Sequence, residues 1–366
     1  MIPLHRAAGR QGIPMPAMPD VTLEATMTAA ATMDVCVIIA AKNAAETIAR
    51  AVASALAEPE TAEVIVIDDG STDATASTAL SAADDTGRLN IVRFEKNRGP
   101  AAARNHAISI SRSPILAILD ADDFFLPGRL AKLLEVSDWD FVADNIAFMD
   151  ERAAASAAAD VGRFQPEPRL LDLTGFVEGN ISRRGVRRGE IGFLKPLMRR
   201  AFLSSYQLAY NETLRLGEDY DLYLRALAKG ARYKIIHSCG YAAIVRGNSL
   251  SGSHRTEDLK RLYEADRAIL ADNQLSAEAT AVIRRHERHI RGRYEHRRFL
   301  DLKREGGPIA AVTYLLGKPG AVPAVAGGIF ADKTERMRPG KPDAPVGLGG
   351  SGRLRYLLPA SAELSQ

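Results

Sequence analysis

Apolar residues fall in short unbroken runs through the first half of the chain, and each run gives way to a stretch where they recur at helical spacing. Val35-Cys36-Val37-Ile38-Ile39-Ala40 has the continuous, β-branched character of a strand buried on both faces. Glu46 to Leu56 then follows the helical period. The same alternation repeats. Glu63 to Ile67 predicts a second strand, with a helix from about Asp73. Asn90 to Phe94 predicts a third strand and Pro100 to Ile110 a third helix, with Pro100 in the first turn, where its missing N–H costs nothing. Ile115 to Leu119 predicts a fourth strand. This βαβαβαβ order predicts an α/β fold, Rossmann-like, with a mostly parallel sheet flanked by helices. Ligands of such sheets bind beyond the carboxyl ends of the strands. Asn43, Asp68-Asp69-Gly70 and Asp120 to Asp123 fall at those ends.

The second half is less regular. Phe141-Val142-Ala143 predicts one more strand, and residues 151–190 read as loop, with a basic patch at Arg183, Arg184, Arg187 and Arg188. A helix is expected over Glu218 to Lys229, with strands over Tyr233 to Ile236 and Tyr241 to Val245. Residues 256–305 predict two long helices, the second rich in arginine: Arg284, Arg285, Arg288, Arg291, Arg293, Arg297 and Arg298. Residues 1–33, rich in Ala, Pro, Met and Thr, carry no continuous apolar core of the signal-peptide kind and read as a disordered tail. The Gly/Pro-rich stretch 335–366 reads the same way. The pattern therefore divides the chain into a tail (1–33), an α/β domain (34–250), a basic helical extension (251–334) and a second tail (335–366).

Composition changes this picture little. Of 366 residues, 46% are apolar and 25% charged, with a net charge of +3, which excludes collagen-like, disulfide-scaffold and disordered classes. The two cysteines, Cys36 and Cys239, read as small buried hydrophobes rather than a disulfide or metal ligands, which fits a reducing, cytoplasmic setting. The most apolar late segment, 308–330, is interrupted by Lys318, Pro319 and Pro323 and does not read as a membrane-spanning helix. The basic stretch 284–304 reads first as a solvated helical face. Peripheral contact with an anionic membrane, at its inner face and with 308–330 in the interface, comes second. Nucleic acid is not expected, since no aromatic platform accompanies the arginines. Gly347-Leu348-Gly349-Gly350-Ser351-Gly352 matches a dinucleotide fingerprint but lacks the preceding strand, so it carries no weight.

Four motifs carry candidate chemistry. In Asp68-Asp69-Gly70-Ser71, a strand runs into a tight turn, and Asp69 is placed to accept from a nucleoside's N–H or hydroxyl groups. In Gly99-Pro100-Ala101-Ala102-Ala103-Arg104-Asn105, small residues open a helix, and Arg104, one turn in, can reach a phosphate or an acidic cluster. Asp120-Ala121-Asp122-Asp123 crowds three carboxylates, which repel unless a cation neutralises them. Mn²⁺ or Mg²⁺ prefers such oxygen ligands together with phosphate. Gly217-Glu218-Asp219 opens a helix with acidic residues, which the helix dipole alone favours; as a third acidic site it also offers a general base.

In this order and spacing, with Val37-Ile38-Ile39-Ala40-Ala41-Lys42-Asn43 before them, these motifs resemble the family 2 glycosyltransferases of the GT-A fold over residues 34–250. Within that family Arg98 to Asn105 and Phe141-Val142-Ala143-Asp144-Asn145 look most like the succinoglycan-type exopolysaccharide enzymes. The resemblance implies a GT-A domain with a C-terminal helical extension and an inverting transfer from a UDP-sugar, glucose being the first choice, to a saccharide or polyprenyl-linked acceptor. It implies nucleotide contacts from Ala40, Lys42, Asp69, Arg104 and Asp120, a metal on Asp122 and Asp123, and Asp219 as catalytic base. Glu218, Arg246 and Ser249 are candidate acceptor or diphosphate contacts. Lys42 stands where the family often has tyrosine, which removes a base-stacking ring. A sugar-nucleotide nucleotidyltransferase and a non-catalytic nucleotide-binding protein are the alternatives. The first would need a Gly-rich basic loop after the first strand, and Ala41-Lys42-Asn43-Ala44-Ala45 is a poor one.

Overall fold

A computed structural model describes residues 34–150, 168–181, 190–245, 255–272, 274–336 and 355–358. Arg183, Arg184, Arg187, Arg188, Arg246, Ser249 and the glycine run at 347–352 lie outside the described residues, as do most of the two stretches read as tails.

The expected alternation forms the amino-terminal half. β1 (Val35–Ala41), β2 (Thr61–Asp68), β3 (Leu89–Arg93) and β4 (Ile115–Ile118) run parallel in the order β3-β2-β1-β4. α1 (Ile48–Leu56), α2 (Thr75–Leu80) and α3 (Pro100–Ile110) connect them. The register aligns the carboxyl ends: Ala41 lies opposite Asp68, and Asp68 opposite Arg93. α3 packs against β1 and β2 through buried Ala101, Ala103 and Ala107, small enough to bring its first turn close to the sheet.

Past β4 the sheet becomes mixed. β5 (Phe124–Phe125) and α4 (Arg129–Leu134) lead into β6 (Phe141–Met149), which extends well beyond the three residues expected. β7 (Arg169–Leu170) and α5 (Leu173–Gly179) lie within the stretch read as loop, and a short 3-10 turn at Ile191–Phe193 leads to β8 (Leu197–Arg199) and α6 (Arg200–Ser205). α7 (Glu218–Ala228) and β9 (Tyr233–Ile244) follow. β8 is reversed, antiparallel to both β4 and β6, while β6 and β9 run parallel to each other, and the sheet continues as β4-β8-β6-β9-β5. β9 is one continuous strand where two were expected. Its centre, Gly240, lies against Arg129 and Asp144, and the Gly240 N–H donates to Asp144 Oδ2 at 2.6 Å. The strand thus runs unbroken across the interval left between the two expected strands.

The extension is helical as expected: α8 (Thr256–Asp272), α9 (Ala277–Gly317), which kinks at Gly307 (φ 77°), and α10 (Val322–Arg336). Within the stretch read as a disordered tail, β10 (Arg355–Tyr356) pairs with β6 and buries Leu357 and Leu358. Asn145 holds it, with Nδ2 donating to the Leu358 carbonyl and Oδ1 accepting from the Leu358 N–H. Two buried leucines explain why a Gly/Pro-rich composition does not describe these four residues. Among the described residues no single helix is long and apolar enough to cross a membrane.

Candidate active site

Three loops beyond the carboxyl ends of β1, β2 and β3 are locked together by polar contacts. The Asn43 N–H donates to Ser71 Oγ, and the Ala44 N–H donates to Thr75 Oγ1. Gly70 takes a positive φ of 68°, and a side chain there would meet the Lys96–Asn97 backbone at 2.8 Å, so the β2 turn needs glycine. Asp69 is buried, and each of its oxygens accepts a backbone N–H from the third loop, Arg98 at 2.7 Å and Gly99 at 2.8 Å. Asp69 thus fixes the entry to α3. Lys42 is exposed on the first loop, and Ala40 is half-buried in β1.

The acidic run follows β4. Asp123 is buried and braced: its Oδ2 accepts from the Tyr241 hydroxyl and its Oδ1 from the Ile244 N–H, each at 2.9 Å. Burial, then the charges of Asp122 and Asp120, push its carboxyl well above the usual range. Asp122 is half-buried beside it.

Asp120 belongs to a second network, which reaches α7. Arg104 is buried on α3 and sends Nη2 to Asp120 Oδ1 at 2.9 Å, and Nη1 to Glu218 Oε1 at 2.9 Å and Asp219 Oδ1 at 3.1 Å. Lys195 bridges the same groups from the other side, with Nζ 3.0 Å from Asp120 Oδ2 and 2.7 Å from Asp219 Oδ2. Burial raises the Asp120 carboxyl, but the Lys195 and Arg104 charges outweigh it and hold the group at about 2. Burial works against the charge on Lys195 too, and Asp120 and Asp219 override it, keeping the ammonium charged. Burial pushes Glu218 upward. Arg104 Nε and the Tyr210 hydroxyl are buried there with no hydrogen-bond partner among the described residues, and the Tyr210 ring lies 5.3 Å from the guanidinium.

The structure therefore joins Arg104, Asp120, Glu218 and Asp219 in one cluster, braces Asp123 in the adjoining turn, and turns Asp69 inward. Lys195 was not singled out by the motifs. Its signal was the one charge in Phe193-Leu194-Lys195-Pro196-Leu197-Met198, because a lysine among buried apolar neighbours needs carboxylate partners. Below it, buried Arg129 donates through Nη2 to the Lys195 carbonyl and pairs with Asp144 Oδ1 at 2.9 Å. That pair fixes the backbone from which Lys195 projects.

The acidic run fits a hard divalent ion in part. Among the described residues no group of three or more His, Cys, Asp or Glu side chains is placed to hold a metal ion. Both Asp123 oxygens already accept hydrogen bonds. An ion here would take one or two carboxylates and draw its other oxygens from phosphate and water, as Mg²⁺ commonly does.

Acidic groups at the sheet's carboxyl edge, joined to a second acidic pair on α7, stand where the resemblance to GT-A glycosyltransferases places them, and the comparisons agree on that class. The family model "Glycosyl transferase family 2" matches residues 36–200. The chain belongs to that family. Succinoglycan biosynthesis protein ExoU of Rhizobium meliloti is 73% identical over 332 residues, 91% of this chain and 97% of its own length. ExoO of the same organism is 38% identical over 74% of this chain and 76% of its own. Among solved structures, S. aureus TarS 1-349 in complex with UDP-GlcNAc shares the fold at 20% identity and a TM-score of 0.54, covering 75% of each chain. Family membership decides between the alternatives in favour of a glycosyltransferase. Asp219 lies beyond the matched residues 36–200.

Proposed function

We propose that the chain transfers a hexosyl group, glucose first, from a UDP-sugar to a saccharide or polyprenyl-linked acceptor in exopolysaccharide synthesis. The observation that carries this reading is the Arg104–Lys195 bridge, which fixes Asp219 beside the acidic run that follows β4. The names of the two Rhizobium relatives support an exopolysaccharide product, and the TarS complex supports a UDP-sugar donor.

The reaction is a single displacement. Asp219 takes the acceptor hydroxyl proton as that oxygen bonds to C1 of the sugar. The C1–O bond to the diphosphate breaks on the opposite face, its electron pair leaves with UDP, and the anomeric centre inverts. Arg104 and Lys195 hold the Asp219 carboxylate in place, and Arg104 Nε and the Tyr210 hydroxyl remain as donors for ligand oxygens. Asp122 would hold the divalent ion with Asp123 supporting the turn, and a bound ion supplies positive charge against the departing diphosphate. A polyprenyl-linked acceptor would bring the enzyme to the inner face of the membrane.

Two measurements test this. Asp219→Asn should lower turnover by about 10³-fold while UDP binding, read by calorimetry, is retained; loss of both would remove the base role. Chelation with EDTA should stop UDP release from UDP-glucose, and Mn²⁺ or Mg²⁺ should restore it. Full activity in EDTA would remove the metal from the mechanism. A panel of UDP-sugars with crude lipid acceptor then identifies the donor.

A further inference from the structure

Residues 308–317, the part of α9 beyond the Gly307 kink, are apolar around the whole helix, with polar side-chain atoms only on Thr313 and Tyr314. One side packs inward: Ala311 is buried, and the Tyr314 hydroxyl donates to Glu295. The other side carries Ile309, 81% exposed, Val312 and Leu316, 78% exposed, at the i, i+3, i+7 spacing that forms one stripe. α10 adds exposed Val322 and Phe330. Of the eleven exposed large hydrophobic side chains among the described residues, six lie from Leu300 to Phe330, so exposed apolar surface concentrates in this stretch of the chain. A helix that is apolar all round is ordinarily buried on every side or covered by lipid.

Charge identifies the cover. From Pro308 to Phe330 there is no acidic residue, and Lys318 is the one charged side chain. Earlier in α9, residues 284–298 hold seven arginines against two glutamates, and the charges between, Asp301, Lys303, Arg304 and Glu305, cancel. Some of these arginines are used internally, Arg285 with Glu178 and Arg291 with Glu287, while Arg284 and Arg288 are exposed. The bend between Ala277–Gly317 and Pro319–Thr334 is 104°, a shape that lies along an interface more readily than it crosses one. A second copy of the chain is a poor occupant, since a stable dimer buries about 800 Å² per partner and the stripe is three side chains long.

We propose that residues 308–330 dock on a bilayer surface with anionic headgroups. Ile309, Val312, Leu316 and Phe330 enter the acyl boundary, and the arginine-rich part of α9 faces the headgroups. This rests on the reading above only in that a lipid-linked acceptor gives the docking its purpose.

The test is flotation of the full chain, without donor or acceptor, on vesicles of phosphatidylcholine alone or mixed with phosphatidylglycerol. The parent should float with the mixed vesicles, and the bound fraction should fall at least about tenfold without phosphatidylglycerol or in an Ile309→Glu/Leu316→Glu variant. Those two side chains are exposed, so the variant should keep the parent's melting temperature and its donor turnover with a water-soluble acceptor. No flotation of the parent, or equal flotation of the variant, overturns the proposal. So does a concentration-dependent dimer that the variant abolishes, which would assign the stripe to a second copy. An inactive protein that floats counts against the catalytic reading alone, and an active one that does not float counts against the docking alone.

Discussion

At the scale of the residue, Lys195 decides how Asp219 stands. Three carboxylates, Asp120, Glu218 and Asp219, share two buried cations, Arg104 and Lys195, and Lys195 alone bridges Asp120 to Asp219 on the side away from Arg104. Removing one member of a buried ionic network leaves uncompensated charge at a cost of about 3–5 kcal/mol. Lys195→Met keeps the length of the side chain and removes the charge. It should lower kcat/KM at least about a hundredfold, roughly 2.7 kcal/mol of barrier, with the circular dichroism spectrum unchanged. Lys195→Arg should recover part of the loss. Activity of the Met variant within threefold of the parent would show that Arg104 suffices. The sequence made Asp120, Asp219 and Arg104 legible because each sits at the start of a helix or the end of a strand, where a charge needs a reason. Lys195 sits in an irregular connection, and its partners are separated from it by 24 and 75 positions. Such pairings come from the closed sheet and not from local pattern. Asp69 was legible as a special residue but not in its hydrogen bonding, because the loop that it clamps belongs to another strand's end.

At the scale of the element, the parallel half was legible almost to the residue, since continuous apolar runs and helical periods say the same thing at every step. The mixed half was not, although its two long strands, β6 and β9, again run parallel to each other. β5, β7, β8 and β10 are two or three residues long and too short to show a period. β9 was read as two strands, Tyr233 to Ile236 and Tyr241 to Val245, because His237-Ser238-Cys239-Gly240 interrupts the apolar run. Gly240 is instead a site of close approach: a Cβ there would lie 2.5 Å from Arg129 Cγ and 2.8 Å from Asp144 Oδ2. Gly240→Ala should cost about 1–3 kcal/mol from overpacking. Because Arg129 holds the Lys195 carbonyl, the strain should reach the site. The expected result is a lower melting temperature together with reduced kcat and little change in the affinity for UDP. A variant that melts lower and keeps full kcat would confine Gly240 to the stability of the sheet.

At the scale of the whole molecule, the C-terminal helices close on the turn that presents Asp219. Gly217, in a left-handed conformation at the start of α7, faces Leu262 of α8, and a Cβ there would lie 2.9 Å from Leu262 Cδ1. Arg215 pairs with Asp258 at 3.0 Å. One residue past Asp219, the Tyr220 hydroxyl donates to Asp266 Oδ1 at 3.1 Å and lies 3.0 Å from His286 Nδ1. Asp266 Oδ2 is in turn 2.7 Å from that nitrogen. Asp266 and His286 are both buried, so this junction ties α7, α8 and α9 together away from water, where partners are costly to lose. Tyr220 also stacks on Phe176 of α5, which draws a fourth element into the joint. The basic extension is therefore a buttress for the site as well as a surface. His286→Ala would leave the Asp266 carboxylate with the Tyr220 hydroxyl as its one remaining partner in the junction. The expected loss is about 3 kcal/mol, read as a melting temperature lower by about 6–10 °C. The same variant should lower kcat more than it raises the KM for donor, because Asp219 loses its backing while the loops after β1, β2 and β3 are untouched. Unchanged kcat in a destabilised variant would show that the extension holds the fold together without positioning Asp219.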